Sequence, residues 1–392
     1  MAEAYIVTAL RTAGGRKGGR LAGWHPADLA AEVIDALVAR SGAAPDAVDD
    51  VILGCVGQAG EQAFNIARNA VLASSLPETV PGTSVDRQCG SSQQAIHFAA
   101  QAVLSGTMDC VIAAGVESMT RVPMGLTDWL PRKHGFGSYI SPNIQRRYPG
   151  VVFNQFEGAE MIARKYGFTR EVLDAFALRS HARAAEAQDK GHFDDEILPV
   201  ARRDADGAPT DEIHDRDEGV RRGGSMEALA GLDPLIDGGV LTAGNASQMC
   251  DGASAVMVVN EAGLKRLGVA PLARIVHMSV TGADPVVMLE APIPATQRAL
   301  ARAGMGIDEI DLFEVNEAFA PIPLAFQAAT GADPSKVNVR GGAIALGHPL
   351  GGTGAKLMAT LVHALHRRKA RYGLQTMCEG GGLANVTIVE RL

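Results

Sequence analysis

VDRQCGSSQQAIHFAAQAVLSG, Val85 to Gly106, reads as a strand end, a tight turn bearing one cysteine, and a long, largely apolar helix over Ser91–Leu104. Cys89 therefore stands where a helix begins, facing the partial positive charge and unpaired N–H groups of its first turn. That placement lowers a thiol pKa toward the nucleophilic thiolate. A lone cysteine is as often a buried structural residue, and on this segment alone both readings stand. Short apolar runs nearby fit buried strands, DVILG (Asp50–Gly54) and DCVIAAG (Asp109–Gly115).

Helical spacing over Pro26–Ser41, with Pro26 suited to a first turn, and over Asn65–Ala73 completes an alternation of helix and strand. The C-terminal third repeats the order. A helix over Ala295–Ala303 leads to a strand, Ile310–Val315, and a helix, Ala318–Thr330, whose first turn Pro321 and Pro323 should disturb. A strand at Val337–Val339, a glycine-rich turn, a helix over Thr353–Arg367 and strands at Leu374–Met377 and Ala384–Glu390 follow. AAPDAVDDVILG matches MGIDEIDLFEV, and Val51 to Cys89 spans 38 residues where Leu312 to His348 spans 36. The match suggests an internal duplication, with α/β halves built on mixed or parallel sheets. Between them, residues 121–239 carry most of the tyrosines, charge-rich stretches such as Arg202–Glu218, and a helical block over Glu157–Gln188. That is too long for a connection and reads as a lobe inserted over a site. The division expected is 1–120, an inserted loop domain over 121–250, and 251–392.

Composition narrows the function. Hydrophobic residues at 47% and charged residues at 20% fit a soluble chain with a large core. A net charge of −8 argues against a nucleic-acid partner. No apolar run reaches the ~20 residues of a membrane span. The start, MAEAYIVTAL, enters a strand with no signal- or transit-peptide pattern. The five cysteines are widely spaced with no CxxC pair, so neither a metal site nor a disulfide framework is expected, and reduced thiols in the cytoplasm are the simplest reading.

Three further segments bear chemistry. In NVRGGAIALGHPLGGTGAK, Asn338 to Lys356, six glycines let the backbone approach a ligand, and His348 is held between Gly347 and Pro349. A histidine there can donate to a carbonyl oxygen or help generate a thiolate. The order is not that of a phosphate-binding P-loop, and so many glycines favour a site over a plain turn. In TMCEGGGLANVTIVERL, Cys378 ends a strand before a glycine turn. It can act as an acid/base beside oxyanion-binding N–H groups, though alone it reads better as a strand-end thiol. By the duplication its strand corresponds to DCVIAAG. In EVNEAFAP, Asn316 can orient a water or the histidine, or simply cap a helix, and Glu317 is the other polar candidate.

CGSSQQA, NEAFA, GGAIALGHPLGGTGA and CEGGG, in this order, resemble the thiolase family over nearly the whole chain. The resemblance implies a layered α-β-α-β-α fold of two similar halves, with the loop domain over the active site. It implies Cys89 as the acyl-accepting nucleophile and His348 as its activator. His348 would also form, with a water on Asn316, the oxyanion hole for the thioester enolate. Cys378 would be the acid/base, and the N–H groups of Cys89 and Gly380 the second oxyanion hole. Ser247, Arg221 and Phe319 would contact CoA or the acyl group. CoA is a substrate, no cofactor is needed, and members are dimers or tetramers. The reaction implied is cleavage of a 3-ketoacyl-CoA to acetyl-CoA and a shortened acyl-CoA, or its reverse.

Asn154–Gly158, NQFEG, replaces the His-Met-Gly stretch of acetoacetyl-CoA-forming members and looks like degradative thiolases for longer or bulkier acyl chains, steroid side chains included. Arg340 stands where the family often has Asn. The alternatives are a biosynthetic acetoacetyl-CoA thiolase, a decarboxylating or aldol-type condensing enzyme of the same superfold, and a non-catalytic thiolase-like subunit. The second thiol, Cys378, discriminates against the condensing enzymes.

Overall fold

The computed structural model describes residues 2–392. The first half runs β1 (Tyr5–Thr12), β2 (Gly15–Arg16), α1 (Pro26–Ser41), β3 (Asp50–Gly54), α2 (Ile66–Ala73), β4 (Gly82–Val85), α3 (Ser91–Ser105) and β5 (Cys110–Ser118). The chain then enters a lobe of α4 (Leu126–Lys133), α5 (Pro142–Arg147), α6 (Gln155–Tyr166), α7 (Arg170–Asp189), β6 (Ile197–Leu198), β7 (Val200–Arg203), β8 (Pro209–His214) and α8 (Met226–Ala230), of which β6 alone pairs back onto the sheet, beside β1. It returns as β9 (Cys250–Val259) and continues through α9 (Glu261–Leu267), β10 (Ala273–Gly282), α10 (Pro292–Ala303), β11 (Leu312–Val315) and α11 (Pro321–Thr330). Last come α12 (Ala343–Leu346), α13 (Thr353–Arg368), β12 (Tyr372–Glu379) and β13 (Leu383–Arg391).

The strand order repeats between halves. β4-β3-β5-β9-β1 on one side is matched by β11-β12-β13-β10 on the other, joined where β1 meets β10. The directions match too: β3 is parallel to β5 as β11 is to β12, and β9 and β13 are antiparallel to both their neighbours. The expected strand at Val337–Val339, counterpart of β4, is reduced to a bridge between Phe313 and Val337. Asn338 sits there at φ 49°, which breaks an extended run.

Five layers result, as the resemblance implied. α1 and α2 cover the outer face of the first sheet over a core that includes Leu29, Ile34, Leu53 and Ile112. α10 and α11 cover the outer face of the second with Ala299, Phe313, Phe326 and Ile388. α3 and α13 lie between the sheets, around Ile96, Ala99, Met358 and Val362. Covered on both faces, β5 and β9 are buried throughout and read as continuous apolar runs. The middle helices must also approach each other closely, which requires small residues. A Cβ on Gly354 of α13 would lie 2.8 Å from Gln93 Cα and would collide with its N.

Two local expectations are corrected. Pro321 and Pro323 do not disturb α11, because the helix begins at Pro321, where N–H groups have no intrahelical acceptor to lose. The helical block of the lobe is two helices, α6 ending at Gly167 in the left-handed region and α7 capped by Thr169.

Candidate active site

Cys89 lies in the turn between β4 and α3. Asp86 Oδ1 accepts from the Gln88 N–H at 2.8 Å, and the Ser91 hydroxyl accepts from the Arg87 N–H at 2.9 Å while donating to Gln88 O. These bonds hold Gln88 at φ 50°, sparsely populated for a side-chain-bearing residue, and leave Cys89 half-buried. The thiol is not shifted toward thiolate as its helix-start position suggested. Burial first, then the Glu379 carboxyl, push it up to about 12, against the opposing pull of its own N–H. Desolvation outweighs the helix terminus here.

His348 is buried between the second half and the returning lobe. Its N–H donates to Gln248 O at 3.1 Å. Nδ1 lies 2.6 Å from Thr353 Oγ1, and that hydroxyl donates its only proton to Pro349 O at 2.8 Å. Thr353 must therefore accept, so Nδ1 carries the imidazole proton and Nε2 presents a lone pair. Asn316 Nδ2 faces Nε2 at 3.4 Å. Burial, then Lys356, depress the His348 pKa to about 3, so the ring is a neutral base at rest. Lys356 Nζ donates to the Leu346 and Gly347 carbonyls, bracing the turn before the histidine. Gly347 is required there: it sits at φ 80°, and a Cβ would lie 2.6 Å from Cys250 Sγ.

Asn316 continues β11, its N–H donating to Thr376 O at 3.1 Å. It is no helix cap, since α11 starts five residues later, and its Oδ1 is buried without a partner among the described residues. Glu317 is an anchor, not a reactive group: it accepts from Ser180, Asn338 and the Ile344 N–H. Cys378 is the penultimate residue of β12, wholly buried. Burial, then the Cys89 sulfur and Glu379, hold its thiol well above the usual value, so the two thiols sense each other. Gly380 packs on the Cys89 turn, where an added Cβ would lie 2.9 Å from Gln88 Oε1.

The structure thus brings Cys89, His348, Asn316, Cys378 and Gly380 to one end of the parallel strands. Ser247 and Phe319 adjoin them: the Ser247 N–H donates to Ala318 O, and Ala246 bridges Phe319 as Met249 bridges His348. Phe319 stacks edge-on against Phe156 of α6, with ring centroids 5.5 Å apart. Arg221 is not part of this cluster. It is exposed, and its backbone N–H donates to His181 Nδ1. Arg340 belongs to a buried ionic group with Glu196, Arg11 and Asp217 that ties the lobe to the core. Thr353 and Glu379 are further members of the site. Sequence reasoning passed over both, since nothing in their spacing marks them.

The chain matches the family models for the thiolase N-terminal domain over residues 4–262 and the thiolase C-terminal domain over residues 269–391. It is 52% identical to a steroid 3-ketoacyl-CoA thiolase of Mycobacterium tuberculosis, covering 100% of this chain and 95% of that one. It is 42% identical to a 3-ketoacyl-CoA thiolase of Escherichia coli, covering 100% of both. A crystal structure of the Bacillus anthracis acetyl-CoA acetyltransferase superposes with a TM-score of 0.90 at 37% identity, covering 100% of this chain and 99% of that one. The chain belongs to the thiolase family and is an acyltransferase.

Proposed function

We propose that the chain cleaves a bulky 3-ketoacyl-CoA with CoA, through a thioester on Cys89. The observation that carries this is the convergence of two thiols with a neutral histidine whose bare Nε2 is on the Asn316 side. In the first half-reaction His348 Nε2 takes the Cys89 proton as the sulfur attacks the 3-keto carbon. The N–H groups of Cys89 and Gly380 hold the resulting alkoxide. Its collapse breaks the C2–C3 bond, and the electron pair moves into an acetyl-CoA enolate. Protonated His348 and a water on Asn316 donate to the enolate oxygen, and Cys378 gives its proton to C2, releasing acetyl-CoA. In the second, Cys378 takes the proton of an incoming CoA thiol, which attacks the acyl-Cys89. The shortened acyl-CoA leaves, and His348 returns the proton to Cys89. CoA is a substrate, and the scheme uses no cofactor.

Bulky acyl groups, steroid-derived ones included, are favoured by the 52% identity to a steroid 3-ketoacyl-CoA thiolase and by NQFEG, which places Phe156 against Phe319. Ser247 and Phe319 would line the pantetheine and acyl path, and Arg221 the outer CoA contact. The biosynthetic acetoacetyl-CoA reading is not favoured by these relatives. A homodimer or homotetramer is supported by the outer edge of β4, which ends the sheet, and by Phe64 beside it, 96% exposed. Five unpaired cysteines support a reducing, cytoplasmic setting. The test is intact mass after mixing with acetoacetyl-CoA and longer or ring-bearing 3-ketoacyl-CoAs. An adduct on Cys89, lost in Cys89→Ala, is expected; no adduct with any substrate sinks the reading.

A further inference from the structure

Glu379 follows Cys378 at the end of β12, and none of the steps above uses it. The residue has no exposed surface, and both carboxyl oxygens are enclosed without a hydrogen-bond partner among the described residues. It is pressed on the first turn of α3: a Cβ on Gly90 would lie 2.5 Å from its Cδ and would collide with Oε1. One carboxyl is therefore wedged between the helix start that carries Cys89 and the strand end that carries Cys378.

Such a group is held neutral, because an enclosed carboxylate loses its hydration and the Asn385 backbone N–H that bears on it returns little of that. Among the described residues, the one cation bearing on it is Arg87, in the Cys89 turn. The first turn of α3 beyond Gly90, Ser91 to Gln94, and the paired stretch of β13, Leu383 to Asn385, carry no charge. Cys89 senses Glu379 before any other charge, then Glu117 of β5 and Asp86 of its own turn.

We propose that Glu379 is a positioning residue that acts through Cys89. Neutral, it lets the Cys89 proton pass to His348; ionised, it opposes the thiolate, so acylation has an alkaline limit set by this carboxyl. The proton it loses goes to solvent, and the charge left behind disfavours a second negative charge on the adjacent sulfur. Burial lifts the carboxyl to about 8 while Arg87 pulls it down, which puts the limit at mildly alkaline pH. The inference rests on the reading of Cys89 as the acyl carrier.

The test is single-turnover acylation of the full chain by a 3-ketoacyl-CoA between pH 6.5 and 9.5, followed by intact mass. Wild type should lose about tenfold in rate across the alkaline limb, the effect of about one pKa unit at Cys89. Glu379→Gln should lack the limb, Glu379→Asp should keep one, and Arg87→Gln, which removes the opposing cation, should move it to higher pH. Identical profiles in wild type and Glu379→Gln overturn the proposal, as does a limb that stays in place in Arg87→Gln. The second comparison decides alone if Glu379→Gln does not fold. No adduct in wild type at any pH would overturn the acyl-carrier reading itself, whereas an adduct with an unaltered limb overturns only the role of Glu379.

Discussion

Thr353→Val isolates the hydrogen bond that decides which nitrogen of His348 is the base. Valine keeps the shape of threonine but cannot accept from Nδ1 at 2.6 Å or donate to Pro349 O at 2.8 Å. A buried N–H left without an acceptor costs about 1–3 kcal/mol. The ring has an escape from that cost. Its proton can move to Nε2 if the Asn316 amide turns over, so that Oδ1, now without a partner, accepts it. Nε2 is then no longer a lone pair, and His348 cannot take the Cys89 proton. If the bond is worth about 1–3 kcal/mol of preference between tautomers, the competent one drops by about 5- to 150-fold. Acylation of Cys89 in a single turnover should fall by that factor while the urea midpoint falls little, and Thr353→Ser should restore the rate. A Thr353→Val protein that acylates at the wild-type rate refutes the tautomer argument. One that loses rate and stability in proportion would show the hydroxyl to be only a packing and hydrogen-bonding element.

Cys378→Ser leaves the fold intact and removes an acid near the required strength, so turnover should drop by about 10²- to 10⁴-fold; near-normal steady-state thiolysis would remove Cys378 from the scheme. Gly354→Ala forces α13 away from α3, costing about 1–3 kcal/mol or more, and urea unfolding should show it; an unchanged midpoint would mean the two helices have slack that the Gln93 backbone denies them. Phe156→Ala opens the wall against Phe319, so selectivity between bulky and acetoacetyl substrates, read as the ratio of kcat/KM values, should change while Cys89 alkylation does not. His97, His181 and His348 are depressed, first by burial, to about 3, about 4 and about 3, below the ordinary value of about 6.5. The unfolded chain therefore binds their protons first as pH falls below about 6.5. Stability should drain from there toward pH 4 by up to about 4 kcal/mol per pH unit, and denaturation midpoints that stay level from pH 7 to 5 would contradict it.

The elements with strong periodicity or clear ends were legible in the sequence. Pro26–Ser41 shows why: proline opens the helix and Gly42, at φ 69°, closes it, so both bounds are written locally. Val337–Val339 was not legible, because the left-handed backbone of Asn338 is held from outside. Its side chain accepts from the Val315 N–H and donates to Glu317. Cys89, His348, Asn316 and Cys378 stood out as candidates because reactive residue types sit at strand ends or beside glycine-rich turns. The charge state of Cys89 could not be read, since it depends first on burial created by the fold and then on a carboxyl 290 positions away in the chain. In the sequence Thr353 is a plain helix start, because the commitment of its hydroxyl to Pro349 O exists only in the folded turn.

The duplication explains why the proposed reactive groups meet, and why equivalent strand ends in the two halves serve differently. Strand register sets Gly54 beside Gly115 in the first half and Val315 beside Thr376 in the second. Counting forward from these pairs makes Cys55 the counterpart of Asn316, and Glu117 the counterpart of Cys378. Cys55 and Glu117 are also neighbours, with Sγ 3.9 Å from Oε1. Yet Glu117 is saturated. It accepts from the N–H groups of Val56, Gly57 and Gly351 and from Gln62. One of those donors, Gly351, belongs to the turn that follows His348. The first half therefore spends its equivalent positions on bracing the glycine-rich turn of the second. The second half leaves Asn316 Oδ1 without a partner among the described residues and holds Cys378 as a protonated thiol. α3 and α13 pack side by side between the sheets, and the Ala355 N–H in the first turn of α13 donates to the Ser92 hydroxyl in the first turn of α3, so the turns that open them, one with Cys89 and one following His348, lie at the same end of the molecule. That packing is what brings the proposed nucleophile of one half to the proposed base, amide and acid of the other.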